Sequence, residues 1–96
     1  VEASAVVGGF AERSVARDAG LRVGDRILAI DGREVASFDD VASQVLLYPG
    51  REVIMSVERG GREFTVPLRI ADVRETDRFG NVSRIGRIGV AAAAPS

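Results

Sequence analysis

Acid-base and nucleophilic chemistry needs side chains that exchange protons near neutral pH, and the 96 residues contain no His, no Cys and no Lys. That inventory removes Ser-His and Cys-His nucleophile pairs, thiolate chemistry, histidine metal sites, Schiff bases and the phosphate-binding Walker lysine. Carboxylates remain, with Asp25, Asp31, Asp39 and Asp40 as the candidates for a general acid and base. Each has a competing structural use. Asp31 belongs to an Asp-Gly turn, Asp39 and Asp40 open a helix, and Asp25 stands in a loop where it can accept backbone amides. No stretch has the Asp spacing of a calcium loop, and Asp39-Asp40 alone offer too few oxygens, so no metal site is expected. Gly8-Gly9 has the composition of a phosphate cradle, but no Gly-Lys-Ser/Thr helix follows it.

The elements that position these residues are set by apolar periodicity and turn chemistry. Ala5 to Phe10 reads as a short strand with a glycine-loosened exit. Ser14 can accept from the orphan amides that open a helix, Gly20 can take the positive φ that ends it, and Leu21 can fold back over the end, so this helix has one or two turns. After Gly24-Asp25 comes a strand, Arg26 to Ile30, and then the tight-turn pair Asp31-Gly32. Ser37-x-x-Asp40 is a capping box for a second helix over about Phe38 to Leu47. Its apolar residues Phe38, Val41, Ala42, Val45 and Leu46 recur at three- and four-residue spacing, and Pro49-Gly50 stops it. Arg51 to Arg59 and Arg62 to Ile70 alternate polar with apolar on either side of Gly60-Gly61, the pattern of a β-hairpin; Pro67 confines its strand to an edge or a bulge. The more charged stretch from Ala71 to Gly86 predicts a surface excursion, with a small hairpin pairing Val73–Thr76 with Val82–Ile85.

Ninety-six residues make one domain, 1–96, able to bury about 60 to 65% of the unfolded chain's surface. A hydrophobic fraction of 46% with 28% charged residues is that of an ordinary soluble globular fold. A net charge of -1, with no run of cations, argues against a nucleic-acid partner, because phosphate binding needs a cationic face. No window approaches the ~18 apolar residues that cross a bilayer. The start at Val1 and the alanine-rich end, with 91–96 read as a terminal strand and tail, suggest a piece excised from something larger.

Ser14 to Val35, with its Ala-Gly-Leu-x-x-Gly-Asp-x-Ile-Leu-x-Ile-Asp-Gly-x-x-Val core, resembles the corresponding segment of bacterial PDZ domains, the peptide-binding modules of envelope proteases. The Pro-Gly that usually precedes the helix is replaced by Glu12-Arg13. The resemblance implies an α+β, PDZ-like fold: a small, partly open β-barrel or sandwich of five to six strands with two helices. Within it, Arg87-Ile88-Gly89-Val90 is similar to the family's x-Φ-G-Φ carboxylate-binding loop, where successive amides of Ile88, Gly89 and Val90 form a nest for a peptide's terminal carboxylate. The competing reading of these four residues is a last edge strand with a glycine bulge. The strand from Val90 to Ala93, including Ala91 and Ala92, would accept a peptide as an added strand. Ala42, Val45 and Leu46 of the second helix would form the facing wall, with Phe38 and Val41 turned more to the core and Tyr48 at one end.

In the PDZ domains of trypsin-like envelope proteases the x-Φ-G-Φ loop comes before the strand equivalent to Ala5–Gly8, whereas here it follows the last hairpin. This circularly permuted order, with Asp77-Arg-Phe-Gly-Asn81 and Arg84-Ile-Gly-Arg-Ile-Gly-Val90, resembles the periplasmic PDZ insert of bacterial site-2 proteases, membrane-embedded zinc metalloproteases that clip anti-sigma factors. The resemblance implies a monomeric, non-catalytic domain on the periplasmic side of the inner membrane. It would capture or filter the C-terminal segment of a membrane substrate such as an anti-sigma factor, with zinc held by the parent and no cofactor here. A PDZ domain of a trypsin-like envelope serine protease or secretion protein, and a purely steric size filter without a peptide ligand, are the alternatives.

Overall fold

The structure is a computed structural model that describes residues 5–93. Its elements are β1 (Val7–Phe10), α1 (Val15–Asp18), β2 (Arg26–Ile30), β3 (Arg33–Glu34), α2 (Phe38–Leu46), β4 (Glu52–Arg59), β5 (Arg62–Arg69), β6 (Ala71–Thr76), β7 (Val82–Arg87) and β8 (Val90–Ala92). Among the described residues the strands form three antiparallel sheets, ordered β3-β2-β4-β5, β6-β7 and β1-β8, with no closed barrel. Eight strands therefore replace the expected five to six. The strand not anticipated is the two-residue β3, too short to leave a period-2 signature; the expected hairpin forms in full, β6 and β7 running two residues beyond Val73–Thr76 and Val82–Ile85 at its open end.

Turn chemistry accounts for the hairpins. Asp31 and Gly32 both have positive φ (51° and 80°), as do Gly60 and Gly61 (57° and 84°), the geometry of two-residue turns whose twist matches their strands. Val73 faces Ile85 and Thr76 faces Val82. Pro67 lies on β5, an edge strand, where a missing amide costs no ladder bond. On β4 the inward residues Val53, Met55 and Val57 are buried, and with Ile27, Val41, Val66, Leu68 and Ile70 they make the core.

Two caps hold the helices. Ser14 Oγ accepts from Arg17 N at 3.0 Å, and Gly20, with φ of 108°, lies just beyond the end of α1. Ser37 Oγ accepts from Asp40 N while Asp40 Oδ2 accepts from Ala36 N at 2.9 Å, the reciprocal capping box. β1 joins the large sheet through Val7 N to Asp25 O and Ile27 N to Ala5 O, each 2.8 Å. β8 then lies outside β1, so its far edge has no strand partner among the described residues. A bulge falls at Gly8, and a Cβ there would stand 2.4 Å from Ala93 Cα.

Candidate functional site

One side of α2 faces β8 and the foot of the β6-β7 hairpin across a cleft of about 690 Å³. From α2 come Phe38, Asp39, Val41, Ala42 and Val45; Ala71 to Val73, Gly86 to Val90 and Ala92 form the opposite wall; Ala11, Arg13 and Val15 close one end. The spacing 38, 41, 42, 45 is a single helical stripe. Gly86 sets the distance between the walls at its closest point, because a Cβ there would stand 1.9 Å from the Val45 carbonyl oxygen and 2.6 Å from Ile70 Cγ2.

The loop between β7 and β8 is pinned from behind. Ile88 is buried, and its carbonyl accepts from Ala16 N at 3.1 Å and from the buried Ser14 Oγ at 3.2 Å. Gly89 O accepts from Ala11 N at 2.9 Å. Gly89 has φ of +77°, and a Cβ would meet Arg13 O and Ser14 Cα at 2.7 Å, so both conformation and space require glycine. The carbonyls are thus engaged with the α1 side, whereas the N–H groups of Ile88 and Gly89 donate to no acceptor among the described residues. Register settles the next amide. Ala11 bonds to Gly89, and Gly9 stands opposite Ala91, so Phe10 and Val90 form the intervening non-bonded pair; the Val90 N–H and C=O point to the unpartnered edge of β8.

The sequence-predicted residues distribute as follows. Arg87, Ile88, Gly89 and Val90 line the cleft together with Ala92, Ala42 and Val45. Leu46 and Ala91 do not. Leu46 stands about 100° around the helix from Val45 and is 43% exposed, and Ala91 alternates to the other face of β8. Val41, 2% exposed, sits in the core and Phe38 packs against it, as expected, and both also border the cleft. Tyr48 is elsewhere, under the Arg51 guanidinium at 5.0 Å and beside Ile30 and Asp31. Ala11, Arg13, Val15 and the start of β6 were not foreseen, since only tertiary packing brings them to the cleft.

Charges around the cleft are unevenly compensated. Arg87 pairs with Glu75 at 2.7 Å with both side chains more than half exposed, and Asp72 is held on both oxygens by Arg84. Arg13 and Asp39 line the cleft, are exposed, and have no ion-pair partner among the described residues. The remaining candidate carboxylates serve the scaffold. Asp31 Oδ1 accepts from Ile54 N at 2.7 Å. Asp25, 1% exposed, accepts from Arg22 N and, on both oxygens, from Arg59 at 2.8 Å. Arg59 holds its carboxyl below the usual range, against the opposing push of burial. No group of three potential metal ligands occurs among the described residues, and the residues here do not fit a zinc site.

Comparison with known proteins agrees with this geometry. A family model described as PDZ domain matches residues 6–59. The protein named "Putative zinc metalloprotease" in Agrobacterium fabrum is 41% identical over 88 residues, covering 92% of this chain and 23% of that relative. Zinc metalloprotease RasP of Geobacillus kaustophilus is 31% identical over 61 residues, 64% of this chain and 14% of its own length. The chain thus spans about a quarter or less of these relatives. The PDZ domain of the SdrC-like protein from Listeria monocytogenes superposes with a TM-score of 0.68 at 19% identity, over 96% of this chain and 90% of that one, a likeness of fold. With the matched segment running through β1, α1, β2, α2 and β4, and the same architecture in a solved neighbour, the chain belongs to the PDZ domain family.

Proposed function

We propose that this domain is the substrate-receiving module of a site-2-type zinc metalloprotease. It takes the free C-terminal segment of a membrane substrate, of the anti-sigma-factor kind, as an extra strand between β8 and α2, on the periplasmic side of the membrane. The observation that carries this reading is the coincidence of three features at one mouth. Uncommitted amides at Ile88 and Gly89, an outward-facing Val90 amide, and an apolar cleft lined by Val41, Ala42 and Val45 meet there. Successive N–H groups converging on one point favour an anion, and an open strand edge adds main-chain hydrogen bonds to an extended peptide. Arg13, with no ion-pair partner among the described residues, adds positive charge at the same end. Proton transfer and metal chemistry belong to the rest of the parent, so the contribution here is binding and orientation.

The test is isothermal titration with a hexapeptide ending in valine, as free acid and as amide. Charge-assisted hydrogen bonds are worth about 1.5 to 3 kcal/mol, so the amide should bind roughly 10- to 150-fold more weakly. Equal affinities refute carboxylate capture.

A second reading has one observation in its favour: Ala42 and Ala92 are small residues on facing walls, which gives a ligand little to grip. In that case the domain is a steric filter that keeps bulky ectodomains from the active site. Filling the cleft by Ala42→Phe would then leave substrate discrimination in the full-length parent unchanged.

A further inference from the structure

Resting on the carboxylate-binding reading, we propose that Asp39 makes the cleft selective for C-terminal segments with a cationic side chain about three residues before the terminal residue. The loop stands by the C-terminal end of α2, since Gly86, next to Arg87, touches the Val45 carbonyl. Asp39 precedes Val45 by six residues on the same helix, or about 9 Å at 1.5 Å per residue. An extended peptide rises about 3.3 Å per residue, so three residues cover that distance.

The charges of the cleft are segregated along this axis. Arg87, the last residue of β7, is already paired with Glu75, whereas Arg13, which has no ion-pair partner among the described residues, lines the cleft beside the loop, its carbonyl oxygen close to Gly89. The unpaired cation of the cleft, Arg13, is therefore on the loop side, the end where a carboxylate would sit. Asp39 occupies the opposite end. It is exposed, accepts no hydrogen bond among the described residues, and sits in the first turn of α2. Asp72, the other cleft-lining carboxylate, is already saturated by Arg84. A peptide with an anionic end and a cation upstream complements this distribution; one with an acidic residue upstream opposes it.

Fluorescence polarisation with three labelled acid-terminated hexapeptides ending in valine tests this. They carry Arg or Gln at the fourth position from the end, or Arg at the penultimate position. The fourth-position Arg peptide should bind the natural domain about 2- to 5-fold more tightly than the Gln peptide at low salt, the range of an exposed ion pair. That advantage should shrink in 0.5 M salt and vanish in Asp39→Asn, whose fold is checked by circular dichroism, and penultimate Arg should gain nothing. An advantage that survives Asp39→Asn, or that is absent from the natural domain while acid still outbinds amide, overturns the selectivity and leaves carboxylate capture standing. No binding of any acid-terminated peptide overturns both.

Discussion

Replacing Gly86 with alanine should destabilise the domain more than any other single methyl group added to its glycines outside the turns. A Cβ at this position would stand 1.9 Å from a main-chain oxygen of α2, against an ordinary contact of at least 3.4 Å, so the helix or β7 must retreat by about 1.5 Å. The obstacle is a carbonyl inside a helix rather than the end of a flexible side chain. Ile70 Cγ2, the second neighbour at 2.6 Å, belongs to a buried core residue. Overpacking of this kind costs about 1 to 3 kcal/mol, and two unyielding neighbours place it near 3. For a domain of this length that is a fall in Tm of roughly 12 to 24 °C, out of a total stability of about 5 to 14 kcal/mol. Thermal unfolding followed by far-ultraviolet circular dichroism measures it. Gly9→Ala is the control, because a Cβ there meets nothing within 4 Å. If Gly86→Ala melts within a few degrees of Gly9→Ala, the direct contact of β7 with α2 is wrong, and with it the width of the cleft.

Gly89→Ala combines a positive φ with 2.7 Å contacts to Arg13 and Ser14, so it should displace the loop and lower peptide affinity at least 10-fold by titration calorimetry, with acid and amide then bound alike. Asp25→Asn loses the two charge-assisted bonds from Arg59 and should cost about 1.5 to 3 kcal/mol in urea unfolding. Because the folded Asp25 titrates below its unfolded value of 3.8, its contribution is fully present above that pH and is lost as pH falls through the lower folded value. Acid titration of the natural domain should therefore show a loss of stability below pH 4 that is smaller in Asp25→Asn. Ser14→Ala removes both the cap of α1 and a hydrogen bond to the buried Ile88 carbonyl, and should cost about 1 to 2 kcal/mol by the same urea assay.

Local chemistry made much of this fold legible in the sequence. Gly60-Gly61 and Asp31-Gly32 announce their turns because few other residues take positive φ at two successive positions, and Ser37 with Asp40 marks the start of α2 within a residue. The alternation in 52–59 and 62–69 reports one buried face, and the turn over 77–81 announces the hairpin of 73–76 with 82–85, though not the two further residues each strand adds at its base. What escaped depends on separation along the chain. Asp25 and Arg59 meet across 34 residues, and nothing in either neighbourhood names the other. Gly86 looks like an ordinary strand glycine until α2 is laid against it. On α2 the apolar residues from Phe38 to Leu46 cover more than one stripe, and only the packing of β7 decides that 38, 41, 42 and 45 border the cleft while Leu46 turns outward.

In the proposed mode of binding the loop amides receive a carboxylate. Nitrogen-15 chemical-shift mapping of the domain with a hexapeptide ending in valine addresses it at the atoms concerned. Saturable shifts should centre on the amides of Ile88, Gly89 and Val90, extend to Ala92, Ala42 and Val45, and largely disappear when the same peptide is amidated. Shifts that leave residues 88–90 unmoved, or that persist undiminished with the amide, would rule out carboxylate capture at the loop.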